Sequence, residues 1–273
     1  MEVIGNKRMN EKLEEYFRNE AAAFPGKVAY LYVDMSNYFI HFEKNSKDMV
    51  VSASMIKVPV MMCIFDLIRK GEFSLQTEII VEENQILDDT HVFEYGLAKA
   101  SLYELVVWMI VNSDNTATNV LLSFIGFDRL NDYFKKIGLL HTKLTRYMLD
   151  YQVIEECKNN WTSLWDFFQC MKQLREEECH NIYAGLAINV MKRNRDYDSL
   201  CRYLYEGPSV AHKSGGLDGI VHDAGVFETS EGSYFLGVFL SDFVPSSKME
   251  QEAQKLIGRL SRKVYDFEEL EIR

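Results

Sequence analysis

Strand-like runs at both ends of the chain, with a long helical stretch between them, are what most constrain this fold. Val28-Ala-Tyr-Leu-Tyr-Val-Asp34 and Tyr38-Phe-Ile-His-Phe-Glu43 lie near the start, with Ser36-Asn37 as a hairpin turn between them. Ser209–His212, Val221–Thr229 and Tyr234–Leu240 lie near the end, with turns expected at Gly215-Gly216 and Ser230-Glu231-Gly232. Short strands need partners, so the two ends are expected to build one sheet. The class that follows is α+β: an antiparallel sheet built from both chain ends with flanking helices, plus an all-helical lobe. A single domain over 1–273 is expected, with 1–52 and 205–273 forming the sheet part and 53–204 the helical lobe.

The helices are marked by periodicity and punctuation. Residues 10–23 place Leu13, Tyr16 and Phe17 on one face. Residues 55–70 are mostly apolar and stop at Gly71, with Pro59 early, where proline is tolerated. Further helices are expected over 102–112, 115–124 and 127–137, the last two ending near Gly126 and Gly138. The run 161–172 reads as a helix with Thr162 or Ser163 as N-cap, and 248–264 as a closing helix.

Composition excludes several classes. With 273 residues, 47% of them apolar, and four prolines, the chain is a packed globular one. A net charge of −11 disfavours nucleic acid and anionic membrane as partners. No apolar window reaches the roughly 18 residues of a membrane span, and Met1–Lys12 lacks an apolar core of signal-peptide length. As written, the chain is expected to stay in the cytoplasm. The five cysteines (Cys63, Cys157, Cys170, Cys179, Cys201) are odd in number and irregular in spacing, which fits reduced thiols. His41, His91, His141, His180 and His212 show no metal-ligand spacing, and no cofactor or metal is expected.

Three short motifs carry chemistry. Ser54 and Lys57 form a Ser-x-x-Lys sequence at the start of the apolar run. On a helix, residues three apart share a face, so a lysine neutralised by burial could take the serine proton. The same pair alone also reads as a helix-start serine beside a solvated lysine. Ser113-Asp114-Asn115 follows the apolar run 102–112, and Lys213-Ser214-Gly215 follows Val210-Ala-His212. Gly215-Gly216 fits either a strand edge that a ligand approaches closely or a simple turn. His222 and Asp223 are strand neighbours facing opposite ways, so they do not form a dyad, and His222 reads as structural.

The set Ser54-x-x-Lys57, Ser113-Asp114-Asn115 and Lys213-Ser214-Gly215, in that order, resembles the class A β-lactamases and penicillin-binding proteins, with Ser where their third motif has Thr. The resemblance covers roughly residues 20–265. It implies Ser54 as nucleophile, Lys57 sharing its proton, and Ser113 passing a proton to the leaving nitrogen. Asn115 would meet a substrate amide carbonyl and orient Lys57, while Asp114 holds its loop. Lys213 and Ser214 would bind a substrate carboxylate. The oxyanion donors would be the Ser54 N–H and a group near Gly215 or Gly216.

The sequence departs from that family at Leu144-Thr-Arg146-Tyr-Met148-Leu-Asp150. Class A enzymes place a deacylating glutamate two residues after the arginine, and here that position is Met148. Asp150 is the nearest carboxylate, with Glu155 and Glu156 further on. It is expected to pair with Arg146 and hold the loop, or else to substitute for the glutamate. The resemblance therefore implies a serine hydrolase acylated at Ser54 by a β-lactam or related amide, with slow deacylation. The alternatives are an acylatable penicillin-binding or sensor protein, and a peptidase or amidase for cell-wall-like peptides. The partner expected is a small β-lactam or peptide-like molecule, and the oligomeric state stays open.

Overall fold

Strands from the two chain ends pair with one another. The computed structural model describes residues 2–93, 99–150, 158–205, 207–230 and 232–270. Its fold is α+β. One five-stranded antiparallel sheet runs in the order β2-β1-β9-β8-β7. These strands are β1 (Lys27–Asp34), β2 (Ile40–Lys44), β7 (Ser209–Leu217), β8 (Ile220–Glu228) and β9 (Ser233–Ser241).

Two compact units make up the chain: Met1–Asp48 with Asp196–Arg273, and Met49–Arg195. The breaks fall at 48/49 and 195/196 rather than at 52/53 and 204/205. Pairing explains the first difference, because β3 (Val50–Val51) binds β6 (Trp161–Thr162) of the second unit. Packing explains the other, because Arg202 and Tyr203 lie directly against Gly258 in the first unit.

In the first unit, α1 (Glu2–Ala23) and the last helix, α8 (Ser247–Leu270), pack together. Leu13 and Phe17 of α1 join Leu256, Ile257, Leu260 and Val264 of α8 in one core with Tyr30, Tyr32, Leu236 and Val238 of the sheet. Both helices run further than the sequence pattern marks. Strand β7 also runs further than expected. Gly215 and Gly216 are not a turn: they pair with His222 and Val221 in the ladder. The reversal comes later, at Asp218-Gly219, where Gly219 takes the left-handed conformation (φ +72°) that glycine adopts without strain.

The second unit is built around α2 (Lys57–Arg69), whose residues from Lys57 to Ile68 are all buried. A helix apolar all round belongs inside a lobe, and it contacts α3 (Leu102–Val111), α4 (Asn115–Ile125), α5 (Phe127–Lys136), α6 (Leu164–Glu177) and α7 (Ile182–Met191). Several helix starts are capped by side chains, one of them at an expected position. Ser101 and Glu104 form a capping box on α3, and Ser163 caps α6 through Asp166 N–H. Trp161 and Thr162, expected to be helical, instead form β6, because their backbone pairs with Val50–Val51. Helix α7 has no polar face to betray it. Strands β4 (Glu78–Ile80) and β5 (Lys99–Ser101) are too short to read from sequence. Among the described residues no helix is long and apolar enough to cross a membrane.

Gly225 has a steric reason. It faces His212 across the β7–β8 ladder, and an added Cβ would lie 2.5 Å from both the Ala211 carbonyl oxygen and His212 Cβ. Gly225→Ala is therefore expected to cost about 1–3 kcal/mol, seen as a Tm lowered by several degrees. An unchanged melting curve would show that the sheet has room there.

Candidate active site

The centre of the second unit's site is a buried lysine. Ala53–Ile56 form a 3₁₀ turn rather than the start of an α-helix, and Lys57 N–H closes it onto the Ser54 carbonyl. Side chains three apart eclipse in such a turn, so Ser54 and Lys57 still share a face. Lys57 is 0% exposed. Its Nζ donates to the Ser113 carbonyl oxygen (2.6 Å), Asn115 Oδ1 (2.8 Å) and Ser113 Oγ (3.2 Å). Three acceptors match the three N–H groups of an ammonium. Of the three, only the Ser113 hydroxyl can also donate. A proton leaving Lys57 thus has a path, by reversal of that bond.

The Ser-Asp-Asn loop is shaped for this contact. Ser113 is half-buried and left-handed (φ +53°), which turns its carbonyl oxygen toward Lys57. Asp114 caps α4, accepting from Ala117 N–H at 2.7 Å. The segment 87–90 docks on the same helix start. Leu87 N–H donates to Thr116 Oγ1, Thr90 Oγ1 donates to Asp114 Oδ2, and Asn115 Nδ2 donates to Asp89 Oδ2 at 2.7 Å. Asp89 went unnoticed in the sequence. Its exposed carboxylate engages the amide donor expected to meet a substrate carbonyl.

The Met148 backbone is held from α4. Asn119, one turn after Asn115, grips its backbone from both sides: Met148 N–H donates to Oδ1 (2.7 Å) and Nδ2 donates to its carbonyl (3.1 Å). The Met148 side chain is buried. Arg146 is buried too, and its guanidinium bonds Asn159 Oδ1 and the Tyr147 carbonyl. Asn160 accepts from Thr145 and Arg146 N–H groups, while its own carbonyl accepts from Ser52 N–H at 2.8 Å. That bond ties the loop to the segment just before Ser54. Asp150 is half-buried. Glu155, Glu156 and Cys157 lie outside the described residues.

Ala53, Ser113 and Leu149 are the second unit's left-handed non-glycine residues among those described. One precedes Ser54, one is the Ser-Asp-Asn serine, and one follows Met148. Such conformations cost on the order of 1–3 kcal/mol each and gather at functional sites.

The third motif belongs to the first unit. Lys213 and Ser214 are buried on β7, with Gly215 and Gly216 following on the same strand. Strand β7 is an outer strand of the sheet. Lys213 is 0% exposed and donates to the Ser214 carbonyl at 2.8 Å. Burial lowers its pKa from 10.5 to about 8, although Asp196 and Asp223 oppose the shift. His222 stacks on Phe239 in the sheet. Asp223 does find an imidazole, but it is that of His212, at 2.9 Å across the ladder. That pair was missed because it joins two strands rather than sequence neighbours.

A profile of the β-lactamase enzyme family matches residues 12–267. The chain belongs to the β-lactamase enzyme family. It is a class A-like member. A β-lactamase from Bacteroides uniformis is 22% identical over 231 residues, covering 78% of this chain and 77% of that protein. The solved structure of PBP-A superposes with a TM-score of 0.83 at 22% identity, covering 96% of each chain. A β-lactamase from Chitinophaga pinensis DSM 2588 gives 0.84 at 21% identity, covering 93% of this chain and 98% of its own. At these identities the structural likeness carries the fold.

Lys213 gives this β-lactamase-family protein a titration to measure. Its folded pKa of about 8 lies below the ordinary 10.5. The folded state therefore holds fewer protons in that interval, and this group favours folding more as pH rises from 8 to 10.5. Its positive charge is half lost at about pH 8 and fades further above it. Side-chain NMR of labelled Lys213 is expected to show a midpoint near 8; an ordinary lysine midpoint would contradict the burial argument.

Proposed function

We propose that this β-lactamase-family hydrolase is acylated at Ser54 by a β-lactam or related amide and releases the acyl group slowly. The observation that carries this reading is the Lys57–Ser113–Asn115 cluster, with Lys57 one 3₁₀ turn after Ser54. Ser54 Oγ attacks the amide carbonyl. Its proton goes to Lys57 once that amine is neutral, and the hydroxyl of Ser113 delivers a proton to the leaving nitrogen. The Ser54 N–H stabilises the oxyanion. Lys213 supplies positive charge, and Ser214 a hydroxyl, for the substrate carboxylate.

Breakdown of the ester needs a carboxylate to hold and deprotonate water. Met148 has neither a proton acceptor nor a hydrogen bond to offer there. This supports a second reading, a penicillin-binding protein that is acylated and hardly turns over. A mutant of the structural neighbour PBP-A is described as an acyl-enzyme complex with penicillin G, with a TM-score of 0.82 to this chain at 21% identity.

Intact-mass spectrometry with benzylpenicillin, followed over time, tests the proposal. The wild type is expected to gain one penicilloyl adduct that persists, and Ser54→Ala none. Met148→Glu is expected to shorten the adduct's lifetime by about tenfold or more, within the range of general-base catalysis. An adduct that forms equally on Ser54→Ala would refute acylation at Ser54. Rapid multiple turnovers by the wild type would refute the role given to Met148.

A further inference from the structure

Cys201 stands beside the buried His212–Asp223 pair. Its Sγ lies 3.8 Å from His212 Nε2, and His212 Nδ1 lies 2.9 Å from Asp223 Oδ1. The other carboxylate oxygen of Asp223 accepts the N–H of Leu200 at 3.0 Å. One carboxylate therefore orients the imidazole and also pins the peptide just before the cysteine. Thiol, imidazole and orienting carboxylate stand in sequence, a geometry that activates a cysteine nucleophile. His212 and Asp223 are buried, whereas Cys201 is a half-buried free thiol.

We propose that Cys201, His212 and Asp223 form a second nucleophilic centre, at which the thiol is covalently modified by small soft electrophiles. The site uses none of Ser54, Lys57, Ser113 or Asn115, and so goes beyond the proposed hydrolase. Burial opposes a charged imidazole, but Asp223 and Cys201 together outweigh it and raise His212 to about 10, so the imidazolium is already present at neutral pH. In the step, the Cys201 S–H proton leaves to solvent, and the adjacent imidazolium, held by Asp223, stabilises the thiolate. The sulfur then bonds to the electrophile's carbon, and for an alkyl halide the carbon–halogen bond breaks and halide leaves.

The other described cysteines serve as internal references. Cys63 and Cys170 are buried, and burial pushes the Cys63 thiol up to about 12 and the Cys170 thiol higher still. Cys179 is exposed.

The test treats the native protein with limiting iodoacetamide at neutral pH and follows each cysteine by peptide mass spectrometry. Cys201 is expected to be alkylated about tenfold or more faster than Cys179 despite its lower exposure, because thiolate formation controls the rate. In His212→Asn or His212→Gln, whichever keeps the native melting curve, Cys201 is expected to fall to the Cys179 rate or below. A wild-type Cys201 no faster than Cys179 would overturn the proposal. So would a fast Cys201 that is indifferent to the loss of the imidazole.

Discussion

The second unit is organised by one interaction, the burial of the Lys57 ammonium against three oxygen atoms. A buried cation without partners costs several kcal/mol. Ser113 and Asn115 supply the three acceptors here. That requirement fixes the α3–α4 junction. Ser113 adopts a left-handed backbone to offer its carbonyl, Asp114 caps α4, and Asn115 becomes the helix's first residue. The segment 87–90 then docks on the same helix start through Leu87, Asp89 and Thr90. Loss of any one partner would leave part of a buried charge unsatisfied, so the proposed catalytic cluster is also a structural one.

Asparagine side chains do for the neighbouring loop what acceptors do for the lysine. Asn131 grips Leu144, Asn160 grips Arg146, and Asn119 grips Met148, each by backbone hydrogen bonds on both sides. The loop is therefore placed by its backbone, with little dependence on the side chain at 148. A methionine can sit there without loss of the loop's position. In the proposed reaction, the parts that form an ester and those that hydrolyse it are then physically separable.

Much of this was legible in the sequence. Ser54, Lys57, Ser113, Asn115, Lys213 and Ser214 stand in recognisable order, and Ser163 caps its helix as expected. What stayed hidden depends on partners far along the chain. Gly215 and Gly216 look like a turn until β8 is seen opposite them. Trp161 and Thr162 look helical until Val50 and Val51 claim their backbone. The His212–Asp223 pair joins two strands, and Asp89 reaches Asn115 from a separate loop. Asn119 had a signal that could have been read, since it lies one helical turn beyond Asn115.

The account stands on Lys57 as the base that activates Ser54. The most direct measurement is the rate of acylation by penicillin in Lys57→Ala and Lys57→Arg, each checked for a native circular dichroism spectrum. Lys57→Ala is predicted to acylate about 10²-fold slower or worse, the usual worth of general-base help. Lys57→Arg is predicted not to rescue the rate, because a guanidinium does not give up its proton. Acylation at the wild-type rate in either folded variant would contradict the central claim.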